Sequence, residues 1–203
     1  MRRRFCLRPH LLGSLCTLLF LFHASWTRSA DDQAPLTAII ISGRAGLPDE
    51  NFADSAVLVL NNLGPAPIGL ITNRPTKFPV SHLFPDLERR FAQLHDKVYF
   101  GGPVEVETVW FLVRASKTPE HAIKAFDDVY ISASRELLLQ LLGRNKPMEG
   151  LRIFIGHAGW APGQLEAEIA HGDWALARAN ADAIFNGKSD HPWPPASAPR
   201  PDT

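Results

Sequence analysis

One glycine-rich segment indicates the fold of this chain more strongly than any other: Ile153-Phe154-Ile155-Gly156-His157-Ala158-Gly159-Trp160-Ala161-Pro162-Gly163-Gln164-Leu165-Glu166. Its opening apolar run, with Leu151 before it, is typical of a buried β-strand. Its three glycines permit a tight turn, and Pro162 is favoured in the first turn of a helix. The pattern therefore predicts a strand that ends at Gly156, a glycine-rich turn and a short helix over 164–171.

On both sides of this segment, short apolar runs bounded by Gly, Pro and Asn alternate with segments whose apolar residues have helical spacing. Strands are predicted over residues 36–41, 56–60, 68–72, 97–100, 109–113, 129–132 and 151–155, and helices over 85–94, 135–142 and 164–171. Turn residues in Asn61-Asn62-Leu63-Gly64-Pro65 predict a hairpin between the second and third strands. We therefore predict an α/β fold, a single compact sheet-based domain of mixed or antiparallel strands flanked by short helices, over residues 36–188.

Two further stretches carry a resemblance to a known family. They are Ile68-Gly69-Leu70-Ile71-Thr72-Asn73-Arg74-Pro75-Thr76 and Gly101-Gly102-Pro103-Val104, with Asp49-Glu50-Asn51-Phe52 upstream. Together with the segment at 156–166, in this order, they resemble the YqgE/AlgH family of bacterial proteins, over about residues 39–185. The resemblance implies a sheet-based α/β domain flanked by helices and a regulatory role, and it assigns no biochemical reaction. The family usually has tyrosine where His157 stands.

The N-terminus has the layout of a secretory signal peptide. Four arginines within the first eight residues precede the apolar run from Leu11 to Phe22, and small residues follow at Thr27 and Ser29. The apolar run is shorter than the ~20 residues that a membrane-spanning helix needs. We therefore expect cleavage near Ser29 and a periplasmic or secreted protein, with an uncleaved anchor over 1–29 as the alternative.

Removing residues 1–29 would change the composition of the chain. Both cysteines, Cys6 and Cys16, lie there, so a mature chain would have no disulfide and no thiol nucleophile. Five of the 21 basic residues also leave, which gives 16 against 21 acidic residues and a formal charge of −5. Nucleic-acid binding draws on Lys and Arg that neutralise phosphates. The charge therefore disfavours nucleic acid as a partner. Residues 189–203 contain five prolines and are predicted to be a disordered tail.

The glycine-rich segment supplies one group of candidate ligand-binding residues. The amides at the start of its helix would face an anion, with His157, Gln164 and Glu166 lining the site and His157 as acid, base or ligand. The alternative is structural: Trp160 packs in the core, the glycines allow close approach, and Gln164 or Glu166 caps the helix.

A second group of candidates follows the third predicted strand. Arg74 can hold a carboxylate or phosphate through two hydrogen bonds, or it can pair with Asp49, Glu50 or Asp54 inside the protein. Such residues lie at strand ends and loops, where binding sites are usually built. The complete candidate set is Asn51, Asn73, Arg74, Gly101, Gly102, His157, Trp160, Gln164 and Glu166.

Catalytic motifs are mostly missing from the sequence. There is no Gly-x-Ser-x-Gly elbow, no His-Glu-x-x-His and no phosphate loop. We predict no metal, no cofactor and no assigned catalytic residue. The first functional hypothesis is a non-catalytic regulatory or binding protein of the cell envelope, acting on an unknown protein partner or a small anionic ligand. The alternative is a hydrolase or transferase that uses Arg74 and His157. Membrane contact is expected only through the signal peptide or an uncleaved anchor.

Overall fold

The computed structural model describes residues 38–43, 51–85 and 91–186. All of them belong to the compact unit Pro35–Thr203. The signal peptide predicted over 1–29, the tail predicted over 189–203 and half of the helix predicted over 85–94, residues 86–90, lie outside the described residues. Within the described part of the chain, no helix is long and apolar enough to span a membrane.

The architecture is a ten-stranded, mostly antiparallel sheet curled into a half-barrel, with a few short helices. The strands are β1 Ala38–Gly43, β2 Ala56–Leu60, β3 Ile68–Ile71, β4 Pro75–Pro79, β5 Lys97–Phe100, β6 Val104–Arg114, β7 Ile123–Phe126, β8 Val129–Ser132, β9 Leu151–Gly159 and β10 Trp174–Arg178. The order is β10-β1-β2-β3-β9-β6-β8-β7, and β5 joins β4 to β9. The predicted α/β class is confirmed, and so is the β2–β3 hairpin.

The described residues form three complete α-helices beside the sheet, α1 Arg135–Leu142, α2 Gln164–His171 and α3 Ala181–Asn186, with a 3₁₀ turn at Val80–Leu83. Ser134 caps α1, because its Oγ accepts a hydrogen bond from the amide of Leu137 at 3.3 Å. The predicted bounds of α1 and α2 are confirmed. Helix α2 lies between Gly163 and Gly172, which both adopt positive φ.

The core lies on both faces of the sheet. In β2 all five residues are buried, and they alternate between two clusters. Leu58 and Leu60 pack with Phe154 and Ile131 on one face. Val57 and Val59 pack on the other face with a cluster that contains Trp160 and Trp174. Helix α1 covers a third cluster, which includes Phe111 and Ile153. Burial on both faces explains why β2 reads as a continuous apolar run.

Four elements were not predicted: β4, β7, β10 and α3. Proline at both ends of β4 favours a turn, because proline cannot donate to a strand ladder. Alanine at two of the five positions of β10 gives a weak strand signal. The predicted bounds of four strands were also wrong, by one or two residues in β1 and β3 and by more in β6 and β9. Strand β6 begins at Val104, and β9 continues to Gly159, so the chain makes no strand-to-helix turn at Gly156.

Candidate functional site

Strand β9 changes its partner at Gly156. Before this residue, Phe154 and Ile155 pair in parallel with β5. After it, Ala158 and Gly159 pair antiparallel with β3. Gly156 has φ +67°, a left-handed conformation that glycine adopts without a Cβ penalty. The glycine therefore redirects β9 from one neighbour to the other and does not terminate it.

Gly101 lies in the fork that this change of partner opens, immediately after β5. Its amide donates to the carbonyl of Ile155 at 2.9 Å, and its carbonyl accepts from the amide of Ile71 at 2.9 Å. A Cβ atom on Gly101 would overlap the Gly156 carbonyl oxygen. One on Gly102 would overlap the backbone of residues 157–158. The stretch Gly101–Val104 and the glycine-rich segment after Ile155 thus meet through their backbones, and both Gly101 and Gly102 allow this close packing.

Asn73 joins the end of β3 to the start of β2. Its Oδ1 accepts from the amide of Ala56 at 2.9 Å, and its Nδ2 donates to the Asp54 carbonyl at 2.9 Å. Thr72 adds two more bonds, from its amide at 2.8 Å and from its hydroxyl at 3.0 Å, both to the carbonyl of Ala56. The amide side chain of Asn73 is therefore engaged with the protein's own backbone at both ends.

The guanidinium of Arg74 is bound to the same loop. Nη1 donates to the carbonyl of Asn51 at 2.6 Å, and Nη2 donates to the carbonyl of Ala53 at 3.1 Å. Pairing with Asp54 was one of the predicted alternatives and is wrong, because the described residues give Arg74 no ion pair. The other two acids, Asp49 and Glu50, lie outside the described residues. Loop carbonyls are placed within reach of the arginine because Asn73 already holds this loop against β3.

The remainder of the glycine-rich segment is organised around a residue that the sequence analysis missed, Glu168. Its Oε2 accepts from the indole nitrogens of Trp160 at 3.0 Å and of Trp174 at 2.9 Å. Its Oε1 accepts from Nε2 of Gln164 at 2.8 Å, and Oε1 of Gln164 accepts from the amide of Ala161 at 3.0 Å. Gln164 thus closes the turn before α2, and Trp160 is 6% exposed. The spacing of Gln164 and Glu168, four residues apart on a helix, was the available signal.

His157 lies away from these groups. Its ring meets Trp110 edge to face, with centroids 6.1 Å apart. Nδ1 of His157 and Nε1 of Trp110 are both buried and make no hydrogen bond with any described residue. No hydrogen bond or ion pair among the described residues links the side chain of His157 to Gln164, Glu166 or Arg74. Glu166 is exposed and makes no ion pair with a described residue.

Strand β6 carries a large bulge beside Gly156. Val104 pairs with His157 and Val109 pairs with Ile155, so four residues of β6, 105–108, lie opposite the single residue Gly156. A Cβ atom on Gly156 would lie 3.2 Å from the Cα of Val106, so the bulge packs directly on the glycine. Glu105 has φ +47°, an uncommon conformation for a residue with a side chain.

Two arginines on neighbouring strands hold helix α3. Arg114 pairs with Asp128 and with Asp182, both at 2.8 Å, and the hydrogen bond to Asp128 is the main cause that raises its pKa. Arg152 donates to the carbonyls of Thr72 and Phe185 at 3.3 and 3.2 Å and stacks on Tyr99 at 4.4 Å. Burial lowers the pKa of Arg152, and no described carboxylate offsets that burial.

The structure therefore separates the predicted set into three groups. Asn51, Asn73 and Arg74 form the first, Gly101 and Gly102 the second, and Trp160 and Gln164 the third. His157 meets the second group only through its backbone, against Gly102, and Glu166 joins none of the three. Among the described residues, no group of three or more His, Cys, Asp or Glu side chains is arranged to hold a metal ion. Ligand binding by these residues stays a prediction, as does the expectation of no cofactor.

The curated relatives of this chain are UPF0301 proteins. The chain is 34% identical to a UPF0301 protein of Marinomonas sp. (strain MWYL1) over 150 residues, which cover 71% of this chain and 78% of that one. It is 31% identical to a UPF0301 protein of Chlorobium limicola over 156 residues, 76% of this chain and 81% of that one.

Solved structures agree on the fold. The solution structure of the AlgH protein from Pseudomonas aeruginosa matches with a TM-score of 0.64 at 24% identity, over 79% of this chain and 84% of that one. The crystal structure of protein DIP2367 from Corynebacterium diphtheriae matches with a TM-score of 0.57 at 25% identity, over 74% and 80%. The model of the AlgH-like family matches residues 39–198. The chain therefore belongs to the AlgH-like family.

Proposed function

We propose that this chain is a non-catalytic regulatory or binding protein of the cell envelope. The observation that carries the proposal is that the guanidinium of Arg74 is already hydrogen-bonded within the protein. Arg74 is the cation that the enzyme alternative would use to bind an anion. Its two terminal nitrogens donate to the loop carbonyls of Asn51 and Ala53. Asn73 beside it is engaged with the backbone at both ends of its amide. A ligand would have to displace these bonds, and each charge-assisted bond is worth about 1.5–3 kcal/mol.

The state of His157 supports the same proposal. A histidine that acts as a general base is held by a hydrogen bond that orients its ring and selects its tautomer. The described residues give His157 a ring contact with Trp110 and no hydrogen bond. Arg74 and His157 are also not joined by a hydrogen bond, so the hydrolase or transferase alternative is not favoured.

Turnover assays on the purified chain test the absence of catalysis. Chromogenic phosphate and carboxylate esters would be offered to the wild type and to the His157→Ala and Arg74→Ala variants, with a thermal-unfolding screen of small anions in parallel. We expect no turnover above buffer. Turnover in the wild type that either variant abolishes, while retaining its fold, would overturn the proposal.

The envelope part of the proposal rests on the sequence of residues 1–29. Fusing residues 1–40 to alkaline phosphatase, an enzyme that becomes active only after export, tests it directly. We expect phosphatase activity from the fusion and none after Leu18→Arg and Leu19→Arg, which interrupt the apolar run. An inactive wild-type fusion, present at a normal level in the cytoplasm, would refute export and leave the binding role to be placed elsewhere.

A further inference from the structure

The bulge of β6 has the chemistry of a docking surface. We propose that residues 104–108 bind a partner protein through a segment that combines apolar and basic side chains. This inference rests on the proposed function, because it gives the binding protein a surface and a class of partner.

The bulge presents apolar side chains to solvent. Val104 is 39% exposed and Val106 is 49% exposed, two residues apart in the sequence. Gly159 is exposed beside them, and a Cβ atom there would lie 3.8 Å from Cγ2 of Val104. Phe78, Ile123 and Leu176, the other large apolar residues exposed in the described chain, lie on three different strands. Only the bulge places two exposed apolar side chains so close together along the described part of the chain.

Acidic residues alternate with these valines. Glu105 and Glu107 are exposed, and neither makes an ion pair with a described residue. A second copy of the same surface would bring carboxylates against carboxylates, which opposes self-association. A partner segment with lysine or arginine beside apolar residues would instead complement both the charge and the apolar surface. The charge therefore selects a basic partner over a second copy of this chain.

The backbone beneath the bulge is built to hold it in place. Gly156 packs against the backbone of Val106, and a Cβ atom on Gly156 would lie 3.2 Å from the Cα of Val106. Gly102 packs against the backbone of residue 157. Glu105 has a positive φ, a backbone conformation that is strained for a residue with a side chain and relaxed for glycine.

A labelled peptide provides the probe. A fluorescein-labelled Lys-Leu-Lys-Val-Lys-Leu peptide would be titrated against the purified full-length chain, and the matched Glu-Leu-Glu-Val-Glu-Leu peptide would serve as the probe control. We expect saturable binding of the basic peptide only. Raising NaCl from about 0.1 M to about 0.5 M should weaken binding severalfold, because exposed charges are screened.

Variants locate the peptide on the surface. Glu107→Lys and Val106→Ser should each weaken binding about tenfold, whereas Leu176→Ser, a change at an equally exposed site on β10, should leave the affinity within about twofold. Thermal unfolding of each variant checks that it is folded. If Val106→Ser is not folded, the exposed Glu107→Lys decides alone. No saturable binding of the basic peptide, or equal loss in Leu176→Ser, would overturn the inference.

Photo-crosslinking in cells separates this inference from the proposed function. A photoreactive residue at position 106 should cross-link to a basic partner, and the same residue at position 176 should not. A partner captured only at 176 would refute the docking surface and leave the binding function intact. Turnover in the ester assays would refute the proposed function itself.

Discussion

Trp160 and Trp174 donate their indole N–H groups to one and the same oxygen, Oε2 of Glu168, at 3.0 and 2.9 Å. The two rings also meet edge to face, with centroids 6.3 Å apart, and both contact Phe52. This cluster ties the end of β9 to helix α2, to β10 and to the loop before β2. The motif that dominates the sequence therefore organises the packing of one face of the sheet.

Replacing Glu168 tests that role. Glu168→Ala leaves two mostly buried indole N–H groups without an acceptor, so we expect the free energy of unfolding to fall by about 2–3 kcal/mol. Urea denaturation followed by tryptophan fluorescence measures both the loss and the changed environment of the indoles. Glu166→Ala, two residues away on the same helix and exposed, should change stability by less than about 0.5 kcal/mol. Equal effects of the two substitutions would show that the cluster does not depend on its carboxylate.

Arg74→Ala tests whether the arginine is a structural or a ligand-binding group. Its bonds to the carbonyls of Asn51 and Ala53 are partly exposed, so we expect a loss of about 1–2 kcal/mol in the free energy of unfolding. Arg178→Ala, an exposed change on β10, is the matched control and should have almost no effect. Chemical denaturation gives both values. An unchanged midpoint for Arg74→Ala would show that the loop does not need this cation.

The sequence predicted the central strands because they are continuous apolar runs. Residues 56–60 lie between packed layers, where every side chain is apolar, and residues 151–155 depart from that pattern only at Arg152. Strands β4 and β10 were missed because their residues are poor strand formers that gain their structure from pairing with β5 and β1. Tertiary context decided those two elements.

The candidate site was harder to predict because its residues interact through backbone atoms. The sequence offers acidic side chains as partners for Arg74, but it does not show that the hydrogen bonds of Arg74 reach the carbonyls of Asn51 and Ala53 instead. Likewise, Gly156 indicates positive φ or close approach, and only the structure shows that a strand exchanges β5 for β3 there. The contact between Trp110 and His157 joins residues 47 positions apart, and no local pattern reports it.

Arg152 gives a prediction that concerns helix α3. Arg152→Met removes the donors to the carbonyls of Thr72 and Phe185, and the end of α3 loses its tie to β9. The lost hydrogen bonds outweigh the relief of burying a cation, so we expect a net loss of about 1 kcal/mol and faster amide hydrogen exchange in 181–186. Exposed Arg135, whose guanidinium lies 5.7 Å above the Phe84 ring, provides the control as Arg135→Met.

The pH dependence of the Arg152 effect follows from its pKa. Burial lowers this pKa in the folded state, so the unfolded chain binds the proton more tightly and stability rises with pH near that pKa. Below it the side chain is charged in both states and the contribution is constant. The stability difference between wild type and Arg152→Met should therefore be flat from about pH 6 to about pH 9. A slope in that range, measured by denaturation at several pH values, would indicate a different titrating group.

Two glycines with similar positive φ angles distinguish close packing from conformational freedom. Gly156 has φ +67° and Gly163 has φ +79°, so alanine at either position carries a penalty of about 1–2 kcal/mol for the positive φ. A Cβ atom at 163 meets nothing within 4 Å, whereas one at 156 overlaps the carbonyl oxygen of Gly102. Gly156→Ala must therefore separate β9 from the segment that follows β5, and we expect it to cost at least about 2 kcal/mol more than Gly163→Ala. Urea denaturation of both variants measures the difference. Equal losses would mean that the contact between Gly156 and Gly102 opens without strain to accept a methyl group.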